Sequence, residues 1–112
     1  MTADEYRSLA LTLPEATEDA HMGHPDFRVR KKIFATLGPE EEWGMVSLTP
    51  EQQAMFVEVD PEVFSAFPNK WGLRGATRVQ LDAAKQPAVL EALTFGWRNK
   101  APKKLVNEFD NE

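Results

Sequence analysis

The chain has 112 residues, 42% of them hydrophobic, which predicts a single domain with one core rather than a disordered chain or two small domains. It contains no cysteine, which excludes disulfides, thiolate nucleophiles and cysteine-ligated zinc or iron–sulfur sites. An acidic N-terminal segment and no apolar run of about 18 residues predict a soluble, cytoplasmic protein without a membrane span, and a net charge of −5 by itself disfavours nucleic-acid binding.

The charges are distributed unevenly along the chain. Eleven of the thirteen lysines and arginines lie in residues 27–39, 63–81 and 92–107, and these segments contain no aspartate or glutamate. If the three segments meet in space, the protein has a basic face and an acidic back. The alternative is that each cation is balanced by an acid from a neighbouring element.

The first predicted element is an amphipathic helix over residues 3–13. Thr2 and Glu5 have the spacing of a capping box, and Pro14 ends the helix. Residues 15–19 are predicted to be an acidic connector, and residues 20–22 a short strand that leads into the next element.

Residues 23–38 predict a β-hairpin with a basic tip. The runs 27–30 and 33–37 are rich in β-branched and aromatic side chains, and four cations lie between residues 28 and 32 without an acid nearby in the sequence. A two-residue turn would move Ile33 to the side of Arg28. We predict a three-residue turn instead, which places these residues on one face: Phe27, Val29, Ile33, Ala35 and Leu37.

The second half of the chain predicts a strand, a helix, a further strand and a long final helix. Thr49 and Pro50 mark the start of a helix that runs to about Val57, and residues 61–67 are predicted to form a short helical turn. A strand at residues 77–82 and a largely buried helix from Pro87 follow. The predicted core includes Phe27, Trp43, Phe64, Leu81, Leu90 and Leu93.

This order of elements predicts an α+β fold. An antiparallel sheet of four to six strands is expected to be covered by helices on one face, in a two-layer sandwich. The opposite face of the sheet, or the hairpin tips, would then be free for function.

Three stretches resemble the MmcQ/YjbR-like family, and the match covers nearly the whole chain. They are Gly23-His24-Pro25-Asp26-Phe27-Arg28-Val29 with Lys32-Ile33-Phe34-Ala35, then Pro68-Asn69-Lys70-Trp71-Gly72 with Gly75 and Thr77, then Ala92-Leu93 through Trp97-Arg98 with Ala101-Pro102-Lys103-Lys104. The resemblance implies a fold similar to secretion chaperones and the frataxin-like group, and a role as a small DNA-binding protein. The chain departs from the family pattern at Lys31, where a glycine often closes the hairpin, and at Ala76, where an aromatic often follows the glycine.

The candidate DNA contacts are the cations of the three acid-free segments, together with one tryptophan. Trp71 lies between Lys70 and Arg74 in an irregular stretch, and aromatic side chains beside cations are typical of surfaces that stack bases and contact phosphates. Trp97 also lies beside a cation but is predicted to be a core residue. The predicted binding residues are Arg28, Arg30, Lys31, Lys32, Lys70, Trp71, Arg74, Arg78, Arg98, Lys100, Lys103 and Lys104.

No other pattern predicts a chemistry. Asp19, His21, His24 and Asp26 are metal-ligand types, but their spacing matches no metal motif, and on one strand the two histidines would point to opposite faces. No metal or cofactor is therefore expected, and no serine has the context of a nucleophile, so we predict that the protein is not an enzyme. The predicted function is DNA binding or regulation. The alternative is a protein- or small-molecule-binding module without a nucleic-acid role.

Overall fold

A computed structural model, which describes residues 1–111, consists of a six-stranded antiparallel sheet and five α-helices. Along the chain these are α1 (Ala3–Leu11), β1 (Ala16–His21), β2 (His24–Val29), β3 (Lys32–Leu37), β4 (Trp43–Ser47), α2 (Pro50–Val59), β5 (Phe64–Ala66), α3 (Lys70–Leu73), β6 (Ala76–Gln80), α4 (Gln86–Lys100) and α5 (Lys103–Asp110). Across the sheet the order is β1-β2-β3-β4-β6-β5. Helix α4 packs on β3 and β4, and α1 packs on α4. The predicted α+β sandwich is confirmed.

The helix starts follow the capping signals. Thr2 accepts a hydrogen bond from the Glu5 amide at 3.1 Å, and the Glu5 carboxylate accepts one from the Thr2 amide at 2.8 Å. Thr49 forms the same reciprocal pair with Gln52 at the start of α2. Among residues 1–111, none of the helices has the length and apolar character needed to cross a membrane.

The core lies between the sheet and the helices α1, α2, α4 and α5. Phe27, Phe64, Leu81 and Leu93 are buried as predicted. Leu90 is exposed, because α4 turns another set of residues toward the sheet: Val89, Ala92, Leu93, Gly96 and Trp97. Trp43 is only half-buried, because it lies on the face of the sheet opposite the helices.

The β2–β3 hairpin closes with two residues, so the predicted three-residue turn is wrong. Arg30 and Lys31 form the turn with φ values of 50° and 70°, and Val29 pairs with Lys32. Two successive residues with positive φ make the turn that best matches the twist of two paired strands. The position of Lys31 explains why a glycine suits this site, since glycine adopts positive φ without steric cost.

A β-bulge in the same hairpin decides which side chains face the core. Arg28 pairs with Ile33, and the register then shifts between Phe27 and Arg28. Ile33 therefore lies on the side of Arg28 and is half-buried, while Phe34 is fully buried. The bulge lets a two-residue turn coexist with a largely apolar inner face.

Three elements differ from the sequence prediction, and one of them is α3, which lies in the stretch predicted to be irregular. The segment predicted as an acidic connector is most of β1, which pairs with β2 from Ala16–Val29 to His21–His24. Its acids are tolerated because β1 is an edge strand with one side in solvent. The segment predicted as a helical turn contains β5, where Phe64 pairs with Val79 and faces the core.

Candidate functional site

The three acid-free segments meet at one end of the sheet. The β2–β3 turn lies beside the end of β4, since β3 and β4 are antiparallel, and Ser47 at that end pairs with Ala76 at the start of β6. Helix α3 connects the end of β5 to the start of β6, and Asn99 near the end of α4 donates a hydrogen bond to the Ser47 carbonyl at 3.0 Å. We call this region the basic end: Arg30, Lys31, Lys32, Lys70, Arg74, Arg98, Lys100, Lys103 and Lys104.

The opposite end of the sheet is acidic. The β3–β4 connection lies there and carries Glu40, Glu41 and Glu42, all exposed. Only Glu41 of these contacts a cation within residues 1–111, namely Arg7 at 3.4 Å. Three consecutive exposed acids therefore lie at the end of the sheet opposite the basic end.

Two arginines of the basic end are held by acids, which corrects part of the sequence prediction. Arg30 was expected to have no acid nearby, but Glu15 lies across from it because Ala16 pairs with Val29. The two side chains form a bidentate pair, with Nη2 of Arg30 donating at 3.0 Å, and this pair lowers the pKa of the Glu15 carboxyl. Arg98 forms a similar pair with Asp110.

Seven cations of the basic end make no ion pair with any residue from 1 to 111. All are exposed except Lys100, which is half-buried. Lys31, Lys32, Lys70 and Arg74 lie along the strand ends from the β2–β3 turn to the start of β6, a width of about 14 Å at about 4.8 Å between neighbouring strands, and the other three lie on α4 and α5. The seven cations are Lys31, Lys32, Lys70, Arg74, Lys100, Lys103 and Lys104.

A groove of about 470 Å³ lies on the face of the sheet that the helices leave uncovered, which we call the open face. Trp43, Phe67 and Trp71 line it, and the rings of Trp43 and Phe67 meet edge to face at 5.3 Å between centroids. The prediction that Trp43 is a core residue is therefore wrong. The alternation of Trp43, Met45 and Ser47 along β4 is the signal that could have placed it on the open face.

Arg78 also lies on the open face rather than at the basic end. Its guanidinium carbon is 4.8 Å from the centroid of the Trp43 ring, within cation–π distance. Its Nε is buried and has no hydrogen-bond partner among residues 1–111. Arg78 therefore adds a positive charge beside the aromatic groove.

Arg28 belongs to a hydrogen-bonded network on the open face, not to the hairpin tip. The Asp26 carboxylate is fully buried and accepts hydrogen bonds from Arg28 at 2.7 and 3.0 Å. His21 lies 2.9 Å from the same carboxylate through Nδ1. Arg28 lowers the pKa of Asp26 most strongly, His21 lowers it further, and burial opposes both. This arginine is thus neutralised and is not available for phosphates.

The two histidines lie side by side, so the expectation that they point to opposite faces is wrong. They occupy paired strands, where His21 is directly opposite His24, instead of one continuous strand. Both line the groove. Within residues 1–111, however, no group of three or more histidine, cysteine, aspartate or glutamate residues is arranged to hold a metal ion.

Replacing Asp26 by Asn is expected to lower the free energy of unfolding at pH 7 by about 1.5–3 kcal/mol, the range for hydrogen bonds to charged groups. Because the folded protein holds the Asp26 pKa below its unfolded value of about 3.9, this contribution is full above that pH. It is lost as the pH falls through the lower folded value.

Urea unfolding of the parent and Asp26→Asn at pH 7 and at pH 3 measures this contribution, and the gap between the two proteins should narrow at pH 3. Asp4→Asn is the control, since Asp4 pairs with Arg7 but its side chain is 90% exposed. Equal stability of Asp26→Asn and parent at pH 7 would contradict the assigned network.

Comparisons with known proteins agree with this architecture. The family model described as YjbR matches residues 11–99, most of the chain. The crystal structure of Deinococcus radiodurans protein DR2400, described with the family-model domain DUF419, is similar with a TM-score of 0.68 and 17% identity, over 86% of this chain and 75% of that one. At that identity the likeness shows the fold alone. Among curated proteins there is no match.

Proposed function

The chain belongs to the YjbR family, and we propose that it is a cytoplasmic, non-enzymatic protein that binds DNA weakly through the phosphate backbone. The observation that carries this proposal is the convergence of seven cations without an acid partner, within residues 1–111, at the basic end. Lysine and arginine side chains of this kind bind DNA by displacing counterions from phosphates.

The width of the basic end limits how many phosphates it reaches. A width of about 14 Å across the strand ends corresponds to about four phosphates on one DNA strand, at about 3.4 Å per nucleotide. Each phosphate contact contributes about −0.9 to the slope of log affinity against log salt. We therefore expect a slope of about −3 to −4 and a dissociation constant of about 10⁻⁴–10⁻⁶ M at physiological salt, with little dependence on sequence.

Lys31 and Lys32 are the residues of choice for a charge-reversal test. Both are exposed at the hairpin turn, and neither has an acid partner within the described residues, whereas reversing Arg30 would also leave Glu15 without its partner. The double variant, Lys31→Glu with Lys32→Glu, should bind a labelled 20-base-pair duplex less tightly at low salt. Its slope of log affinity against log salt should be less negative by about 2. Fluorescence anisotropy at two salt concentrations measures both quantities.

Lys85→Glu is the matched control, because Lys85 is exposed at the start of α4, outside the basic end. Circular dichroism checks that each variant is folded. Absence of binding by the parent at low salt, or a double variant that binds as tightly as the parent, would refute the proposal.

The groove supports a second candidate function. Its walls are mainly apolar, and its volume of about 470 Å³ is within the usual range of small-ligand sites, about 300–1,000 Å³. A protein- or small-molecule-binding module without a nucleic-acid role would use this groove and not the basic end. In that case a bound ligand should shield the groove residues from solvent. The charge reversals at Lys31 and Lys32 should leave the affinity of the protein for that ligand unchanged.

A further inference from the structure

Trp71 is a large aromatic residue that lies outside the core. The residue is 56% exposed, although the short helix that carries it is firmly anchored. The Asn69 side chain caps that helix by accepting from the Trp71 amide at 2.9 Å, and Gln53 donates to the Gly72 carbonyl at 3.1 Å. A fixed backbone therefore holds an exposed indole at the junction of the basic end and the groove.

The groove that Trp71 enters offers flat aromatic walls and neutral polar groups. Trp43 and Phe67 line it and contact each other, and Thr36, Ser47 and Asn69 contribute two hydroxyls and an amide. Hydroxyl and amide groups can hydrogen-bond to the edge of a base without adding charge. The lining therefore suits a flat heteroaromatic ring with polar edges better than a purely aliphatic chain.

Cations lie along one part of this aromatic groove, beside Trp71 and Trp43. The guanidinium carbon of Arg74 is 5.5 Å from the centroid of the Trp71 ring, and Arg78 lies over Trp43. Lys32 and Lys70 are exposed and adjoin in sequence the groove residues Ile33, Asn69 and Trp71. A ligand that places an aromatic ring in the groove is therefore complementary to this site when it also carries negative charge on the side of the basic end.

We propose that the groove binds an unpaired base of a single DNA strand, stacked against Trp71, while the phosphates of that strand lie on the basic end. This inference rests on the proposed function, since it uses the same phosphate contacts. A duplex cannot supply such a base without unstacking it, whereas a single strand presents the face of every base to an aromatic platform. The protein should therefore prefer single-stranded DNA to a duplex.

Three ligands separate the base from the backbone: a 12-nucleotide oligothymidylate, an abasic 12-mer with the same number of phosphates, and a 12-base-pair duplex with twice that number. At low salt the parent should bind the oligothymidylate about tenfold more tightly than the abasic strand, with quenching of tryptophan fluorescence. Trp71→Ala should lose about tenfold in affinity for the oligothymidylate, most of the quenching, and little affinity for the abasic strand or the duplex. Anisotropy gives the affinities.

Two variants control for effects other than stacking. Leu73→Ala removes another exposed side chain from the same helix, one that does not line the groove, and should bind all three ligands like the parent. Trp71→Phe keeps an aromatic ring and should restore most of the affinity for oligothymidylate. Trp71→Ala binding oligothymidylate as tightly as the parent would overturn the inference.

The outcomes also separate this inference from the proposed function. Salt-dependent binding of the abasic strand and the duplex, with no effect of Trp71→Ala on any ligand, would keep the phosphate contacts and refute base stacking. Absence of binding to all three ligands at low salt would refute both. If thymidine monophosphate binds as tightly as the oligothymidylate, the occupant is a free nucleotide, and the proposal that the groove binds a DNA strand is refuted.

Discussion

Replacing Trp97 by alanine is expected to lower the free energy of unfolding by about 3–5 kcal/mol, the range for removing a buried aromatic side chain. Trp97 is fully buried, and its ring packs at 5.0 Å between centroids against Phe109 of α5. Its indole nitrogen donates a hydrogen bond to the Pro14 carbonyl at 2.9 Å. The substitution therefore opens a cavity and leaves a carbonyl without its donor at the same time.

Urea unfolding followed by circular dichroism measures this loss, and Trp71→Ala is the matched control. The two tryptophans resemble each other in the sequence, since each lies beside a cation, but exposed Trp71 should change stability by no more than about 0.5 kcal/mol. Trp97→Phe should give an intermediate loss, because it keeps the ring but not the donor. A loss below about 1 kcal/mol for Trp97→Ala would show that the indole does not hold α4 and α5 together.

The contrast between the two tryptophans shows what local sequence can predict. Trp97 follows helix positions that already hold Val89 and Leu93, so its periodicity indicates a buried face. Trp71 lies in a four-residue helix, too short for any periodic signal. Its exposure could be suspected only from the turn residues and cations around it.

Ion pairing was the least predictable property of the candidate site. Arg30 and its partner Glu15 are fifteen residues apart, and Arg98 and Asp110 are twelve residues apart. Such pairs depend on which strand or helix lies alongside, and sequence composition does not specify that. An acid-free segment therefore indicated where cations concentrate but not which of them remain without a partner.

Strand number and register were also only partly predictable. The α+β order followed from capping signals and β-branched runs, but β1 has the composition Ala-Thr-Glu-Asp-Ala-His, which carries no hydrophobic alternation. Its strand conformation comes from pairing with β2, a tertiary interaction. The same pairing puts His21 beside His24 and Glu15 beside the hairpin turn.

Close packing of the backbone requires glycine at two positions in and after α3, Gly72 and Gly75. A Cβ atom on Gly72 would lie 1.9 Å from the Phe67 carbonyl oxygen, and one on Gly75 would lie 1.9 Å from the Leu48 carbonyl oxygen. Neither position has room for a side chain. These glycines let α3 and the turn after it lie close to the residues that follow β4 and β5. This close approach sets the position of Trp71.

Gly75→Ala is accordingly expected to lower the free energy of unfolding by about 2–6 kcal/mol. The residue has a φ of +110°, so a side chain adds conformational strain of about 1–3 kcal/mol. The contact with the Leu48 carbonyl adds the cost of an overpacked core, about 1–3 kcal/mol, because a backbone atom cannot move aside as a flexible side chain can.

Comparison with Gly23→Ala separates the conformational strain from the cost of the close contact. Gly23 has a φ of +81° in the β1–β2 turn, and no atom of residues 1–111 would lie within 4 Å of an added Cβ, so only the conformational strain should appear there, at about 1–2 kcal/mol. Urea unfolding of both variants measures the difference, which is the cost of the close approach to Leu48. Gly75→Ala should also weaken the fluorescence quenching by oligothymidylate, because displacement of α3 moves Trp71 relative to the groove. Equal losses of stability in the two variants would show that the contact with Leu48 does not fix the position of α3.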